Sequence, residues 1–201
     1  MNPYQITRDF EQELCSYASA PYAVCVNSCT AALMLAIEYC MPGSGMSYVE
    51  IPKRTYVSVP NAIVKAGYSV RFRDVEWRGT YKLDPVNVWD CALRFTSGMY
   101  VAGQFQCVSF AAAKILGIEQ GGAILHDCKD ADIWFRRIRF DGRTEGVDPR
   151  EDIFGLVGHH CIMLPSIAAQ ALLRLHHLPK HNPDQVRDDY PDLSRFSETW
   201  R

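Results

Sequence analysis

The chain has 201 residues, 48% of them hydrophobic and 22% charged, with a formal net charge of -2. A chain of this length buries roughly 70% of its unfolded surface, so one α/β domain needs neither disulfide nor metal to build its core. The charge balance carries no whole-chain signature of nucleic-acid binding, and the local cluster Arg136, Arg137, Arg139 and Arg143 reads as a solvated helix face.

In chain order, Phe10, Leu14 and Tyr17 recur at helical spacing and predict an amphipathic helix over residues 6–18. A short apolar strand follows over 22–26. Asn27 and Ser28 then supply N-cap chemistry for a helix over 30–39, stopped by Pro42-Gly43. A strand over 48–52, a helix over 57–66 closed by Gly67 and a strand over 69–75 repeat the unit, which predicts a mainly parallel sheet. Further strands are expected over 86–92, 107–110 and 123–126, and helices over 127–140 and 165–176. Beyond residue 178 the chain turns rich in Pro, Asp and Arg and reads as a surface or disordered tail. The expected organisation is one α/β domain over 1–178 and a tail over 179–201.

The eight cysteines, at positions 15, 25, 29, 40, 91, 107, 128 and 161, contain no C-x-x-C pair and mostly sit in apolar runs. Free thiols are expected. With no signal-peptide pattern and no apolar run near ~20 residues, the chain reads as cytoplasmic, with no membrane partner. His177 and His181 lie at i, i+4, but Pro179 breaks the helix that would align them and no metalloprotease carboxylate accompanies them, so no metal is expected.

Three segments carry chemistry. Val108-Ser109-Phe110-Ala111-Ala112-Ala113-Lys114 is an apolar strand leading to a lone lysine, where a protein would hold pyridoxal phosphate as a Schiff base. The strand-turn-helix at Val26-Asn27-Ser28-Cys29-Thr30 points free helix N–H groups at an anion. Trp89-Asp90-Cys91-Ala92 supplies a carboxylate for a pyridine nitrogen. Ser28, Thr30 and Ser109 would bind the phosphate, Asp90 the ring nitrogen, and Lys114 the aldehyde carbon before shuttling a proton. Each residue also has a plainer reading: Lys114 as a surface lysine, Asp90 as a turn residue, Ser28 and Thr30 as helix caps, and Tyr56 as core packing.

These segments, in this order, resemble the DegT/DnrJ/StrS-type pyridoxal-phosphate-dependent aminotransferases of the aspartate-aminotransferase fold type. The stretch from Tyr22 to Leu33 looks like the family's phosphate turn, with Cys29 where a glycine is usual. Asp90 matches the cofactor aspartate, Ser109-Phe110 and Lys114 match the Schiff-base strand, and Tyr56 falls where the family sets an aromatic ring against the cofactor. The resemblance implies a three-layer α/β fold like the large domain of such transferases, a mainly parallel sheet with helices on both faces, and a C-terminal small domain largely missing. It also implies a pyridoxal 5'-phosphate enzyme, most simply an aminotransferase, acting on an amine or amino acid. Decarboxylation or other α-carbon chemistry on an amino-acid group, either free or carried on a larger substrate such as nucleic acid, stays open, as does a non-catalytic binding or dimerisation module. A homodimer with shared active sites is implied, His160 standing where the family has an asparagine that reaches the partner's phosphate. The chain departs from the pattern there, at Leu93 in place of a glutamine, and at Ile162 in place of an arginine.

Overall fold

The structure, a computed structural model, describes residues 3–201. Helix α1 (Gln5–Ala18) turns Phe10, Leu14 and Ala18 inward at i, i+4, i+8 and ends at Ser19 in the left-handed region. Strand β1 (Tyr22–Val26) leads into α2 (Cys29–Cys40), whose residues Ala31 through Ile37 are all buried. A helix apolar on every side must be covered on every side. Here β5 (Val88–Asp90), β6 (Phe105–Ser109), β7 (Gly122–His126) and α3 (Ser58–Lys65) do so. Strands β2 (Tyr48–Pro52), β3 (Ser69–Arg73) and β4 (Tyr81–Leu83), with helices α4 (Lys129–Ile138) and α5 (Pro165–His176), complete the framework.

Five strands form one sheet in the order β1-β7-β6-β5-β4, and β2 and β3 form a parallel pair joined to β4 through a backbone bridge between Glu50 and Asp84. Side chains alternate across the sheet. Val24, Val26 and Ile124 face a core shared with α2, α3 and α4, whereas Ala23, Cys25, Ala123 and Leu125 face a second core with α1 and α5. In that second core Phe110 meets Phe10 and Phe95 edge to face, each at 5.6 Å between centroids. Truncating such a ring to alanine costs about 3–5 kcal/mol.

The mainly parallel sheet expected from the repeating units is not what the chain builds. Within the five-stranded sheet only β5 and β6 run parallel; the pairs β1·β7, β6·β7 and β4·β5 are antiparallel. The reason lies in the connections. A parallel pair needs a long crossover, whereas β4 and β5 are separated only by residues 84–87 and β6 returns to β7 through a helix-free loop. The helix-crossover pattern extends only through the first three strands.

The arginine cluster is also not a solvated face. Arg139 is 3% exposed and its Nη1 lies 2.5 Å from Glu11 Oε1, while Arg136 Nη1 lies 2.6 Å from Glu11 Oε2. Glu11 also accepts the backbone N–H of Cys25 at 2.9 Å, so one buried carboxylate ties α1, β1 and α4 together. Arg137 donates to the carbonyls of Gly142 and Ile153, and Arg143 stacks over Phe140.

Residues 179–192 run as an ordered strap across the open end of the sheet. Asn182 donates to Tyr17, Phe95 and Pro179; Asp184 takes a two-pronged contact from Arg94 at 2.9 and 2.7 Å. The 3-10 turns over Leu193–Trp200 then bury Leu193 and Trp200, and the Trp200 ring meets Phe72 at 5.9 Å.

Candidate active site

The sheet topology gathers the ends of four strands. Val26 pairs with Gly122, Gly122 with Ser109, and Asp90 with Cys107, so the carboxyl ends of β1, β5 and β6 and the start of β7 share one edge. Ligands of α/β sheets settle at such carboxyl ends. A cavity of about 380 Å³ opens there, lined by Ser28, Thr30, Tyr56, Asp90, Ser109 and Lys114. Cys29 lines it as well.

Helix α2 begins at this cavity. Ser28 is extended and its Oγ accepts the N–H of Ala31 at 3.1 Å, so the hydroxyl acts as an N-cap. Thr30 Oγ1 donates to Ser58 Oγ at 2.8 Å, which ties the start of α2 to the start of α3. Gly122 is required by close approach: a Cβ there would sit 2.5 Å from the backbone nitrogen of Cys29 and 2.8 Å from the carbonyl oxygen of Val108. The first turn of α2 therefore stands directly against β7, its N–H groups without intrahelical acceptors and its dipole directed at the cavity.

Asp90 ends β5 with 5% exposure. Its Oδ1 accepts the N–H of Ala92 at 2.8 Å, and its Oδ2 accepts the Tyr81 hydroxyl at 2.8 Å. Tyr81 is in turn 2.5 Å from Thr55 Oγ1. Burial raises the Asp90 carboxyl above its ordinary range, opposed by those two hydrogen bonds and by the charge of Lys114. Among the described residues no cation lies within ion-pairing distance of it, although a buried carboxylate without one is costly. Lys114 lies past a turn in which its N–H bonds to Ala111, and burial lowers its ammonium below the ordinary lysine value while Asp90 and Cys29 oppose.

The site residues expected from sequence thus meet at one cavity, with one exception. His160 lies outside it, exposed, its Nδ1 2.9 Å from Asp141. Tyr56 is also largely exposed at the cavity wall, where its ring meets Tyr190 at 6.4 Å. Sequence reasoning missed Thr55 and Tyr81, although Tyr81 sits directly opposite Asp90 in the β4·β5 ladder. It also missed Arg187 and Tyr190, which the strap carries to the cavity.

The donor set fits pyridoxal phosphate. A buried carboxylate with no ion-paired cation suits a cationic guest such as a protonated ring nitrogen, a helix start beside the hydroxyls of Ser28, Thr30 and Ser109 suits a phosphate, and an amine of lowered basicity suits a carbonyl carbon. An α/β scaffold with this pocket at its strand ends has the architecture of a pyridoxal-phosphate-dependent transferase. A model of the DegT/DnrJ/EryC1/StrS aminotransferase family matches residues 1–102, just over half of the sequence, and the chain belongs to that family. Over 81 residues it is 37% identical to the spore coat polysaccharide biosynthesis protein SpsC of Bacillus subtilis (strain 168), a stretch amounting to 40% of this chain and 20% of that protein. The fold is shared with the aminotransferase of Psychrobacter cryohalolentis, at a TM-score of 0.71, 18% identity and coverage of 86% of this chain and 56% of that one. It is shared also with the sugar aminotransferase CalS13 of Micromonospora echinospora, at a TM-score of 0.69 and 18% identity, covering 86% and 61% of the two chains. The chain spans less than two thirds of the length of each of these relatives.

Proposed function

We propose that this chain is a pyridoxal-phosphate-dependent enzyme of aminotransferase type, acting on a small amine or amino acid through Lys114. The observation that carries the reading is the buried, cation-free carboxylate of Asp90 in the same cavity as Lys114 and the start of α2. When bound, the cofactor supplies an electrophilic carbon and a ring that takes up negative charge from the substrate carbon. The chain supplies the rest. Ser28, Thr30, Ser109 and the first N–H groups of α2 would hold the phosphate, and Tyr56, at the cavity wall, would offer a ring surface to the cofactor. Asp90, held in register by Ala92 and Tyr81 and made more basic by burial, keeps a proton on the ring nitrogen. Lys114 would hold the cofactor, and its Nζ would move a proton at the substrate carbon; its lowered basicity suits both tasks. The four clustered arginines have internal partners, which favours a small-molecule substrate over a nucleic-acid carrier. Borohydride reduction of cofactor-saturated protein, followed by peptide mapping, is expected to place the pyridoxyl label on Lys114. A label on another lysine overturns the assignment.

The same reading makes the active unit a homodimer with shared sites. Ile153, Phe154 and Val157, the last 92% exposed, form an apolar run just before His160, and such a patch is suited to an interface. His160, outside its own cavity, would donate to the phosphate of the neighbouring subunit. Mixing Lys114→Ala with His160→Ala protein should restore activity, because subunit exchange puts both lesions in one site and leaves the other intact. Failure to recover after proven exchange rules out the shared site. Eight unpaired cysteines support a reducing, cytoplasmic setting, and no described helix is long and apolar enough to cross a membrane.

A further inference from the structure

We propose that Arg187 anchors the carboxylate of an amino-acid substrate. The inference rests on the cavity being a pyridoxal-phosphate site. Among the described residues lining that cavity, Lys114 and Arg187 are the two cations and Asp90 is the one carboxylate. With Lys114 committed to the cofactor and an anion cup already present at the start of α2, Arg187 is the cation left for the substrate. Its one ion-pair contact among the described residues is a loose one, 3.6 Å to Asp189, with Arg187 nearly half exposed and Asp189 largely so. A contact of that kind is worth little, so the guanidinium fork remains available for two-pronged carboxylate binding.

The position of Arg187 is built rather than incidental. Two residues upstream, Gln185 donates its backbone N–H to Leu93 and its Nε2 to the carbonyl of Ala113, the neighbour of Lys114, both at 2.9 Å. Three residues downstream, Tyr190 stacks on Trp77 at 6.1 Å and 18°. Asp184, gripped by Arg94, lies close over Gly79, where a Cβ would press on its carboxylate, and the φ of +68° at Gly79 favours glycine. The strap therefore holds the backbone of Arg187 beside the cavity, from both sides, and leaves the guanidinium free to turn onto a ligand. The chemistry sets the distance. The carboxylate of an α-amino acid hangs from the carbon whose proton Lys114 handles, so its receptor must stand near Lys114, and the charge of Arg187 is felt there.

The test uses the full chain loaded with pyridoxal phosphate, as wild type, Arg187→Gln and Arg187→Lys. Amino acids and their matched decarboxylated amines are titrated against the cofactor's absorbance, and maleate, an unreactive dicarboxylate, against Trp fluorescence. Wild type is expected to respond to at least one amino acid. In Arg187→Gln the half-saturating concentration should rise about 10- to 100-fold for amino acids and maleate, as for loss of a hydrogen bond to a charged group, and stay unchanged for amines. Arg187→Lys should recover part of the loss. Equal effects on acids and amines, no effect on either, or a wild type that responds to amines alone overturn the proposal. Inorganic phosphate is the control for the other anion: if Arg187→Gln abolishes its competition and leaves amino acids and maleate unaffected, the guanidinium serves a phosphate and the proposal fails. A wild type that takes up no cofactor fails the reading of the cavity instead, and the proposal with it.

Discussion

The cavity has two walls of different construction. Its floor is made of strand ends and a helix start, with Asp90, Ser109 and the first turn of α2 carried by elements buried in two apolar cores. Its cover is the strap over residues 179–192, held by hydrogen bonds and by the Arg94–Asp184 and Lys53–Asp192 ion pairs, with Leu193 and Trp200 as its apolar anchors further on. Floor residues are therefore fixed by the same burial that stabilises the fold, whereas cover residues are fixed by contacts that can be released without unfolding it. On the proposed function, the contacts to the ring nitrogen and the phosphate sit in the floor, while Lys114 stands in the loop after β6, beside the strap's Gln185. On the proposal for Arg187, recognition of the substrate carboxylate sits in the cover.

The sharpest way to break this division is Asp90→Asn. The amide keeps the shape and both neighbours but cannot hold a proton on the ring nitrogen. Cofactor uptake should survive, while kcat falls by about 100- to 1000-fold, the 3–4 kcal/mol associated with one preorganised electrostatic partner. Near-normal turnover would make Asp90 a structural residue and move the essential chemistry out of the floor.

The two walls also differ in how much of them could be read from sequence. Ser28, Thr30, Ser109 and Lys114 carried a signal because each follows or ends an apolar run, and the ends of strands are where a sheet gathers its polar groups; Asp90 stood out as the one carboxylate in the segment Trp89-Asp90-Cys91-Ala92. Tyr81 carried none, because the three-residue strand β4 is too short to show a period and its pairing with Asp90 depends on the hairpin across residues 84–87. The direction of the sheet was misread for a related reason: strand and helix periods report which elements exist, and only the connections decide how they pair. Arg187 and Tyr190 had no signal at all. A polar, proline-rich stretch has the same composition whether it is solvated or pinned across a cavity, and what pins this one is Arg94, ninety positions away in the chain.

Acid should act on the scaffold before the strap. His126, at the far end of β7 from the cavity, is fully buried between the rings of Tyr22 and Phe105, and burial pushes its imidazole down to about 4, although Cys128 and Asp127 oppose. In the unfolded chain it titrates near 6.5, so from about pH 6.5 down to about 4 the unfolded state binds the extra proton and the contribution of His126 to stability falls, while Asp132, 3.9 Å away with its carboxyl raised to about 6 by burial, acts in the opposite sense over the lower part of that range. The loss is at most about 3 kcal/mol for this window. His126→Phe should flatten the dependence of unfolding free energy on pH over that range in denaturant titrations. An unchanged slope would mean that other groups carry the acid sensitivity.

Asp184 titrates in the opposite part of the range, which gives the smallest and most local of these effects. Arg94 holds its carboxyl below the ordinary carboxylate value, so the ion pair contributes at any pH above that ordinary value and is lost only as pH falls through the lowered one. Asp184→Asn removes the charge and leaves the side chain over Gly79. The pair is partly exposed, so the loss should be about 1 kcal/mol, expressed as looser seating of the strap rather than global unfolding. KM for an amino acid should rise several-fold with kcat nearly constant, and protease cleavage within residues 179–192 should accelerate while the Tm shifts little. Arg94→Gln should reproduce the effect, and the double variant should add almost nothing, because both changes break one contact. A fall in kcat equal to the rise in KM, or a Tm loss as large as that of a core truncation, would show that strap and floor form a single cooperative unit.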